Sequence, residues 1–160
     1  MASCVFAGTF DPFTCGHQFV VDKCVSVFDK VVIAVGVNVD KQPLFSLEQR
    51  IDAIKAVYSG NPKIEVLPFS GMLTDFMREH NISVTVRGLR NDVDFKYENT
   101  MAQFNLDMLP SIITFYIPTP ASLAHVSSSA IRNIIASKGN FSAYVPQNSL
   151  PLLQEYLKNK

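Results

Sequence analysis

Short runs of almost entirely apolar residues alternate along the chain with longer stretches in which apolar residues recur every three or four positions. The short runs predict five β-strands, at residues 3–8, 31–37, 64–68, 84–86 and 112–117. A strand that is apolar throughout, rather than at alternate positions, is typical of a sheet covered on both faces. We therefore expect a sheet that lies between two layers of helices.

The longer stretches predict helices at residues 17–28, 72–79, 92–106, 127–136 and 151–157, and a further helix that begins at Ser46. Gln49 follows Ser46 at the spacing of a capping box, and Val126 and Ile131 can form a hydrophobic staple at the serine-rich helix start. Alternating strands and helices predict a parallel sheet with right-handed crossovers. The predicted fold class is α/β: one domain over residues 1–160, with a three-layer, Rossmann-like dinucleotide-binding fold and a five-stranded parallel sheet.

Composition narrows the class of protein. The chain has 160 residues, with 14 Lys and Arg against 14 Asp and Glu, and this zero net charge argues against a nucleic-acid partner. Three cysteines without CxxC or zinc-ligand spacing favour reduced thiols and a cytoplasmic location. The apolar run at 4–7 is too short for a signal peptide, and the uncharged stretch at 108–131 is broken by prolines and serines. We therefore expect no membrane partner.

Unusual residues follow the predicted strands at their carboxyl ends, where α/β sheets bind ligands. Residues 8–17 leave the first strand, with Thr14 as a candidate helix cap and His17 in the first helical turn, where anions are favoured. Lys41 follows the second strand, and an Arg-Gly-Leu-Arg segment and a run of three serines follow the fourth and fifth. Residues 108–154 contain no Asp or Glu. These features predict a polyphosphate site.

Several common nucleotide and hydrolase motifs are absent. The sequence has no GxGxxG, which argues against a standard dinucleotide fingerprint, and no GxxxxGK[ST], which excludes a P-loop. A GxSxG elbow and a paired-carboxylate motif are absent as well. The expected phosphate site must therefore be of another kind.

The tetrad Thr14-Cys15-Gly16-His17 resembles the HxGH or TxGH signature of the nucleotidyltransferase superfamily. The segment at 126–132, VSSSAIR, resembles that superfamily's second motif, ISSTxIR. The resemblance narrows to the bacterial-type phosphopantetheine adenylyltransferases. It then includes GTFDPxTxGH, Lys41 before Pro43, SLEQR at 46–50, RGLR at 87–90, DFKYE at 94–98 and Asn105.

This resemblance implies reversible transfer of the adenylyl group from ATP to 4′-phosphopantetheine, which gives dephospho-coenzyme A and pyrophosphate in coenzyme A biosynthesis. It also implies a homohexamer, Mg²⁺ carried with ATP, and coenzyme A as a feedback inhibitor. The nucleophile would be a phosphate monoester that is already ionised near neutral pH, so no general base is required. The task is to align anions and to stabilise charge on the α-phosphate.

By resemblance, the catalytic residues are His17, Thr9, Lys41 and Arg90, with His17 stabilising the α-phosphate and Thr9 orienting the incoming phosphate. The residues implied to bind phosphopantetheine are Thr9, Lys41, Leu73, Arg87 and Asn105. Those implied to bind ATP are Thr9, Phe10, His17, Gly88, Leu89, Arg90, Glu98, Leu123, Ala124, His125, Val126, Ser127, Ser128 and Ser129. Glu98 is expected to face the adenosine. Cys15 stands where the family usually has Asn, and Leu123-Ala124-His125 replaces a bulkier loop, so nucleotide affinity can differ there.

Other interpretations remain open at this point. The chain could be another small-molecule nucleotidyltransferase, or a catalytically silent nucleotide-binding domain on the same fold. Arg87 and Arg90 could pair with Asp92 or Asp94 rather than with phosphate, and a serine of 127–129 could serve only as a helix cap. Cys15 could be a reactive thiol if it is exposed at the helix N-terminus.

Overall fold

The computed structural model describes residues 2–37 and 42–159. Its strands are β1 (Ser3–Gly8), β2 (Lys30–Gly36), β3 (Ile64–Phe69), β4 (Val84–Leu89) and β5 (Ile113–Pro118). Its helices are α1 (Cys15–Val27), α2 (Leu47–Val57), α3 (Leu73–Glu79), α4 (Asp92–Met108), α5 (Ser128–Ala136) and α6 (Leu150–Lys158). A short 3₁₀ turn, Ala121–Leu123, precedes α5 and is not predicted by the pattern.

The five strands form one parallel sheet in the order β3-β2-β1-β4-β5. Helices α1 and α2 cover one face, where Phe6 and Ile33 pack against Val21 and Ile54. On the other face, Val5 and its neighbours contact Phe76 and Met77 of α3. The predicted three-layer α/β architecture is therefore confirmed. The chain reverses its winding direction between β1 and β4, which places a crevice at their carboxyl ends.

The predicted ends of the elements are accurate to one or two residues except in β4. The apolar pattern ends at Val86, but the strand continues to Leu89 because Arg87, Gly88 and Leu89 pair with Tyr116, Ile117 and Pro118. Ladder hydrogen bonds use the backbone and do not require apolar side chains. The strand thus carries Arg87 rigidly to the edge of the crevice.

Two helix starts have the caps that the sequence predicts. Ser46 accepts a hydrogen bond from the Gln49 N–H at 3.2 Å, and the Gln49 side chain accepts one from the Ser46 N–H at 3.0 Å. Thr14 caps α1 in the same reciprocal way, with His17 as its partner. The second cap fixes the imidazole in a single place at the crevice.

Within the described residues, no helix is both long enough and apolar enough to cross a membrane. Helix α4 nevertheless leaves an apolar stripe exposed, formed by Val93, Tyr97, Met101, Phe104 and Met108. Val93 is 75% exposed and Phe104 58% exposed. An uninterrupted apolar stripe on a surface helix is typical of a surface that another molecule covers.

The hydroxyl of Tyr116 is buried and has no hydrogen-bond partner in the part of the chain that the structure describes. An unpaired buried polar group is unfavourable, whereas Phe fills nearly the same volume without it. We expect Tyr116→Phe to raise the free energy of unfolding by about 1 kcal/mol, measured by urea denaturation. A loss of stability would show that the hydroxyl has a partner.

Candidate active site

Two cavities adjoin each other at the carboxyl ends of the strands. The first has a volume of about 640 Å³ and the second about 510 Å³. They share the residues that leave β1, including Thr9, together with Arg87 and Glu98. A group bound in one cavity would therefore meet a group bound in the other beside Thr9.

Helices α1 and α5 both begin at the first cavity, where Gly16, His17 and the three serines form part of its wall. Neither helix has an acidic residue in its first turn. The N–H groups of the first turn and the helix dipole favour anions at such ends. Arg132 also lines this cavity, and its Nη1 donates to the Asp11 carbonyl at 2.8 Å. The first cavity is thus suited to a polyphosphate.

The capping contacts of His17 determine which ring nitrogen carries the proton. The ring Nδ1 of His17 accepts a hydrogen bond from the backbone N–H of Thr14 at 3.0 Å. The backbone N–H of His17 in turn donates to Thr14 Oγ1 at 3.2 Å. A neutral imidazole whose Nδ1 accepts must carry its proton on Nε2. The Nε2–H therefore remains as the donor for a ligand in the first cavity.

His17 is held neutral by its surroundings. The rings of Phe6, Phe10 and Phe13 surround it, with centroids 5.0 to 6.1 Å from that of the imidazole. Burial, followed by the positive charges of Arg90 and Arg87, lowers the pKa of His17 to about 3. Near neutral pH the imidazole is therefore uncharged, with its Nε2–H available as a hydrogen-bond donor.

This low pKa makes stability depend on pH. The unfolded chain takes up a proton at His17 below its ordinary pKa of about 6.5, whereas the folded chain does not until about pH 3. The stability present above pH 6.5 is therefore lost as the pH falls. Between pH 7 and pH 5 we expect the wild type to lose about 2 kcal/mol more than His17→Asn, measured by urea denaturation. Equal losses in both proteins would contradict the low pKa.

Two arginines at the end of β4 are each held by a carboxylate of α4. Arg87 donates through Nε and Nη2 to the two oxygens of Glu98, both at 2.7 Å, and through Nη1 to the Ala7 carbonyl at 2.8 Å. Arg90 donates through Nε and Nη2 to Asp94 at 2.8 and 3.1 Å. Burial raises the pKa of Asp94, but the hydrogen bonds from Arg90 outweigh it and hold the pKa below its usual range. The Asp94 carboxylate is therefore charged near neutral pH.

Arg50 and Asp11 hold together the segments at the rim of the first cavity, namely the loop after β1 and the segment before α2. The sequence does not identify either as a site residue. The buried Arg50 donates to the carbonyls of Thr9, Gly36 and Phe45, at 2.6, 3.0 and 3.1 Å. The buried Asp11 carboxylate accepts the N–H groups of Leu44 and Phe45, both at 2.8 Å. Together they join the loop after β1 to the segment that precedes α2. An arginine among the apolar residues of a helix is the signal that could have revealed Arg50.

Two backbone features bring the walls of the first cavity together. Gly88 lies so close to α1 that a Cβ there would approach Val20 Cγ2 to 2.8 Å. Phe10 has a left-handed φ of 51°, which directs its ring beneath Gly8 and against His17. A non-glycine residue in this region carries roughly 1 kcal/mol or more of strain. The loop that bears Thr9 therefore has a defined shape.

The structure assembles most of the predicted site residues. Those that line the first cavity are Thr9, Phe10, His17, Arg87, Gly88, Arg90, Glu98, Val126, Ser127, Ser128 and Ser129. Those that line the second cavity are Thr9, Leu73, Arg87, Glu98 and Asn105, with Met72 and Met101 beside them. The serines divide their tasks: Ser127 caps α5, Ser128 donates to the Pro12 carbonyl, and Ser129 accepts from Arg132.

Other predicted residues lie elsewhere. Lys41 is outside the described residues, so its role stays a prediction. Leu89 and the three residues at 123–125 line neither of these cavities; Leu123 packs in the cluster around α5, and His125 contacts the ring of Tyr144. Burial raises the pKa of Cys15, which disfavours a reactive thiolate there.

A solved structure shares the fold of this chain, and a family model matches most of its sequence. A crystal structure of a bifunctional NMN adenylyltransferase/ADP ribose pyrophosphatase from Francisella tularensis superposes with a TM-score of 0.69 and 18% identity, over 90% of this chain and 44% of that one. This likeness shows the fold. A family model described as cytidylyltransferase-like matches residues 5–134. The chain is thus a member of the cytidylyltransferase-like class of nucleotidyltransferases.

Full-length relatives define the family more narrowly. A phosphopantetheine adenylyltransferase of Clostridium tetani is 40% identical over 98% of this chain and 98% of its own length. The protein of the same name from Polynucleobacter necessarius is 39% identical over 100% and 94%, and that of Hahella chejuensis 36% identical over 100% and 100%. This chain belongs to the phosphopantetheine adenylyltransferase family.

Proposed function

We propose that this protein is an enzyme that transfers the adenylyl group of ATP to 4′-phosphopantetheine, forming dephospho-coenzyme A and pyrophosphate for coenzyme A biosynthesis. One observation carries this proposal: a cavity at the N-termini of two helices and a second cavity with apolar side chains in its wall meet at Thr9 and Arg87, beside the neutral imidazole of His17. The family of the chain, given by its full-length relatives, supports the same reaction.

The first cavity fits the nucleotide. The helix start at Ser127–Ser129 would receive the β- and γ-phosphates, and Arg90 would contact the same polyphosphate. The Nε2–H of His17 would donate to an α-phosphate oxygen as charge accumulates there, since its Nδ1 is held by Thr14. A neutral donor keeps its proton throughout the transfer.

The second cavity fits the acceptor. Met72, Leu73 and Met101 offer apolar surface to a pantetheine arm, and Asn105 offers amide hydrogen bonds. At the junction, Arg87 would hold the phosphate of the acceptor and Thr9 would orient it toward the α-phosphate. Lys41 is proposed for the same phosphate from the resemblance alone. Alignment of two bound anions accounts for the catalysis without a general base.

Pyrophosphate release tests this function. ATP and CTP are each offered with 4′-phosphopantetheine, glycerol phosphate or nicotinamide mononucleotide. We expect release with ATP and 4′-phosphopantetheine alone. Release with another pair would make the chain a different nucleotidyltransferase, and ATP binding without release with any pair would favour a silent nucleotide-binding domain.

Mg²⁺ is proposed to arrive with ATP. Among residues 2–37 and 42–159, no group of three or more His, Cys, Asp or Glu side chains is placed to hold a metal ion. The nearby carboxylates of Asp11, Asp94 and Glu98 are already bound to N–H groups. The side chains therefore do not form a cage of their own, and the phosphates would supply ligands.

A homohexamer is proposed, supported by the part of the apolar stripe of α4 that lies outside the second cavity, at Val93, Phe104 and Met108, which a second copy would cover. We expect light scattering to give a mass near six chains, and Phe104→Asp to lower it. Gln103→Asp, at an exposed position on the same helix outside the stripe, is the control. A monomeric wild type would overturn this assignment. A cytoplasmic location and feedback inhibition by coenzyme A are proposed from the resemblance.

A further inference from the structure

Three carboxylates line the first cavity although unpaired negative charge there would repel phosphate, and one of them, Asp11, is bound by the N–H groups of Leu44 and Phe45. Asp94 and Glu98 both line the first cavity, and Glu98 lines the second as well. They are four residues apart on α4, so they lie on the same side of the helix one turn apart. Their presence requires an explanation other than direct phosphate contact.

The two ion pairs have the same geometry. In each, the carboxylate binds the Nε and Nη2 edge of a guanidinium: Glu98 binds Arg87, and Asp94 binds Arg90. A guanidinium has five N–H donors, and the carboxylate uses only two of them. In Arg87 a third, on Nη1, donates to the Ala7 carbonyl, which leaves one hydrogen on Nη1 and one on Nη2. Each arginine can therefore bind phosphate while its carboxylate stays in place.

Each carboxylate is also held in place by contacts other than its ion pair or by burial. Asp94 lies in the first turn of α4, where its N–H bonds to the Asn91 cap at 2.9 Å, and its Oδ2 also accepts the Arg90 N–H at 3.1 Å. Glu98 is only 16% exposed, and the Ala7 carbonyl holds the other side of Arg87. A long side chain that is ordered before the ligand binds loses less conformational freedom on binding.

We propose that Asp94 and Glu98 are positioning residues that hold Arg90 and Arg87 ready for the two substrates. Glu98 acts through Arg87 on the phosphate of 4′-phosphopantetheine, and Asp94 acts through Arg90 on the polyphosphate of ATP. This inference rests on the proposed function, and for Glu98 it differs from the adenosine contact that the resemblance implies.

The test compares Glu98→Gln with Asp94→Asn, which keep the size of each side chain and remove its charge. We expect Glu98→Gln to raise the KM and the Kd for 4′-phosphopantetheine about tenfold, with less than a twofold change for ATP. Asp94→Asn should raise the KM and the Kd for ATP about tenfold, with less than a twofold change for 4′-phosphopantetheine. Glu65→Gln, which breaks the surface pair with Lys30, should change neither. Thermal denaturation of each variant shows that it is folded.

A second set of variants tests whether the carboxylates act through the arginines. In an Arg87→Lys background, Glu98→Gln should change the Kd for 4′-phosphopantetheine less than twofold further, because the guanidinium that Glu98 positions is no longer present. Asp94→Asn should likewise add little in an Arg90→Lys background. Full additivity would overturn the proposal, and so would a larger effect of Glu98→Gln on ATP than on phosphopantetheine. Lower KM values in the variants would overturn it too, because the carboxylates would then compete with phosphate.

The proposed reaction and the proposed roles of Asp94 and Glu98 can be refuted independently of each other. The wild type alone tests the proposed function, through release of pyrophosphate with ATP and 4′-phosphopantetheine. Calorimetric Kd values for each ligand test the positioning roles even in a protein without turnover. The roles are supported if Glu98→Gln weakens binding of 4′-phosphopantetheine and Asp94→Asn weakens binding of ATP. They are refuted if both variants change the Kd for both ligands by the same factor.

Discussion

Replacement of His17 by Asn is expected to lower kcat by about 100- to 1000-fold, while the affinity for ATP stays close to that of the wild type. Asn can place Oδ1 near the position of Nδ1 and so keep the hydrogen bond from the Thr14 N–H, but it cannot reach the position of Nε2. The Asn variant therefore lacks the Nε2–H donor. Because this donor is needed most when charge accumulates in the transition state, its loss lowers kcat more than the affinity for ATP. Initial rates of pyrophosphate release and calorimetry with ATP measure the two quantities.

The matched variant is His17→Gln, whose longer side chain can place its amide N–H near the position of the imidazole Nε2 while its Oε1 accepts the Thr14 N–H, as Gln49 does for Ser46. We expect it to keep more turnover than the Asn variant and to be about as stable as the wild type. Turnover of His17→Asn within threefold of the wild type would remove the imidazole from its proposed role.

Replacement of Arg50 by Met is expected to destabilise the protein by about 3 kcal/mol and to lower kcat roughly 100-fold. Met fills much of the space but donates no hydrogen bond to the carbonyls of Thr9, Gly36 and Phe45. Thr9 would then lose the contact that holds its backbone, so the incoming phosphate would be misaligned. Urea denaturation measures the first effect, and rates at a temperature well below the transition measure the second.

Arg78→Met is the control because Arg78 is half exposed and pairs with Asp75 on the surface of α3. Its loss should cost less than about 1 kcal/mol and leave kcat unchanged. If Arg50→Met were as stable and active as Arg78→Met, the buried guanidinium would have no part in the rim.

The sequence predicted the elements and the clustering of cations, because apolar periodicity reports burial and the ends of parallel strands meet at one edge. It could not predict which charges pair. Arg87 and Glu98 are 11 positions apart in the chain and meet only because α4 crosses back over β4. The sequence leaves Asp92 and Asp94 open as partners for either arginine, and in the structure Asp94 pairs with Arg90.

Arg50 shows a second limit of sequence reasoning. On the helical pattern it lies on the apolar face, three and four positions before Ala53 and Ile54, but the pattern does not show what an arginine would bind there. In the structure it is 4% exposed, and three carbonyls, from the end of β2 and from the segments after β1 and before α2, converge on its guanidinium. Backbone acceptors leave no trace in a sequence pattern, so such a contact is visible only after the loops have been placed.

The junction of the two cavities at Thr9 and Arg87 has a consequence for inhibitors. A single molecule that carries a nucleotide at one end and a pantetheine arm at the other would fill both cavities at once. It would lose its translational and rotational freedom once, whereas two separate ligands lose it twice. Such a bisubstrate compound should therefore bind more tightly than either half, and it should compete with ATP and with the acceptor alike.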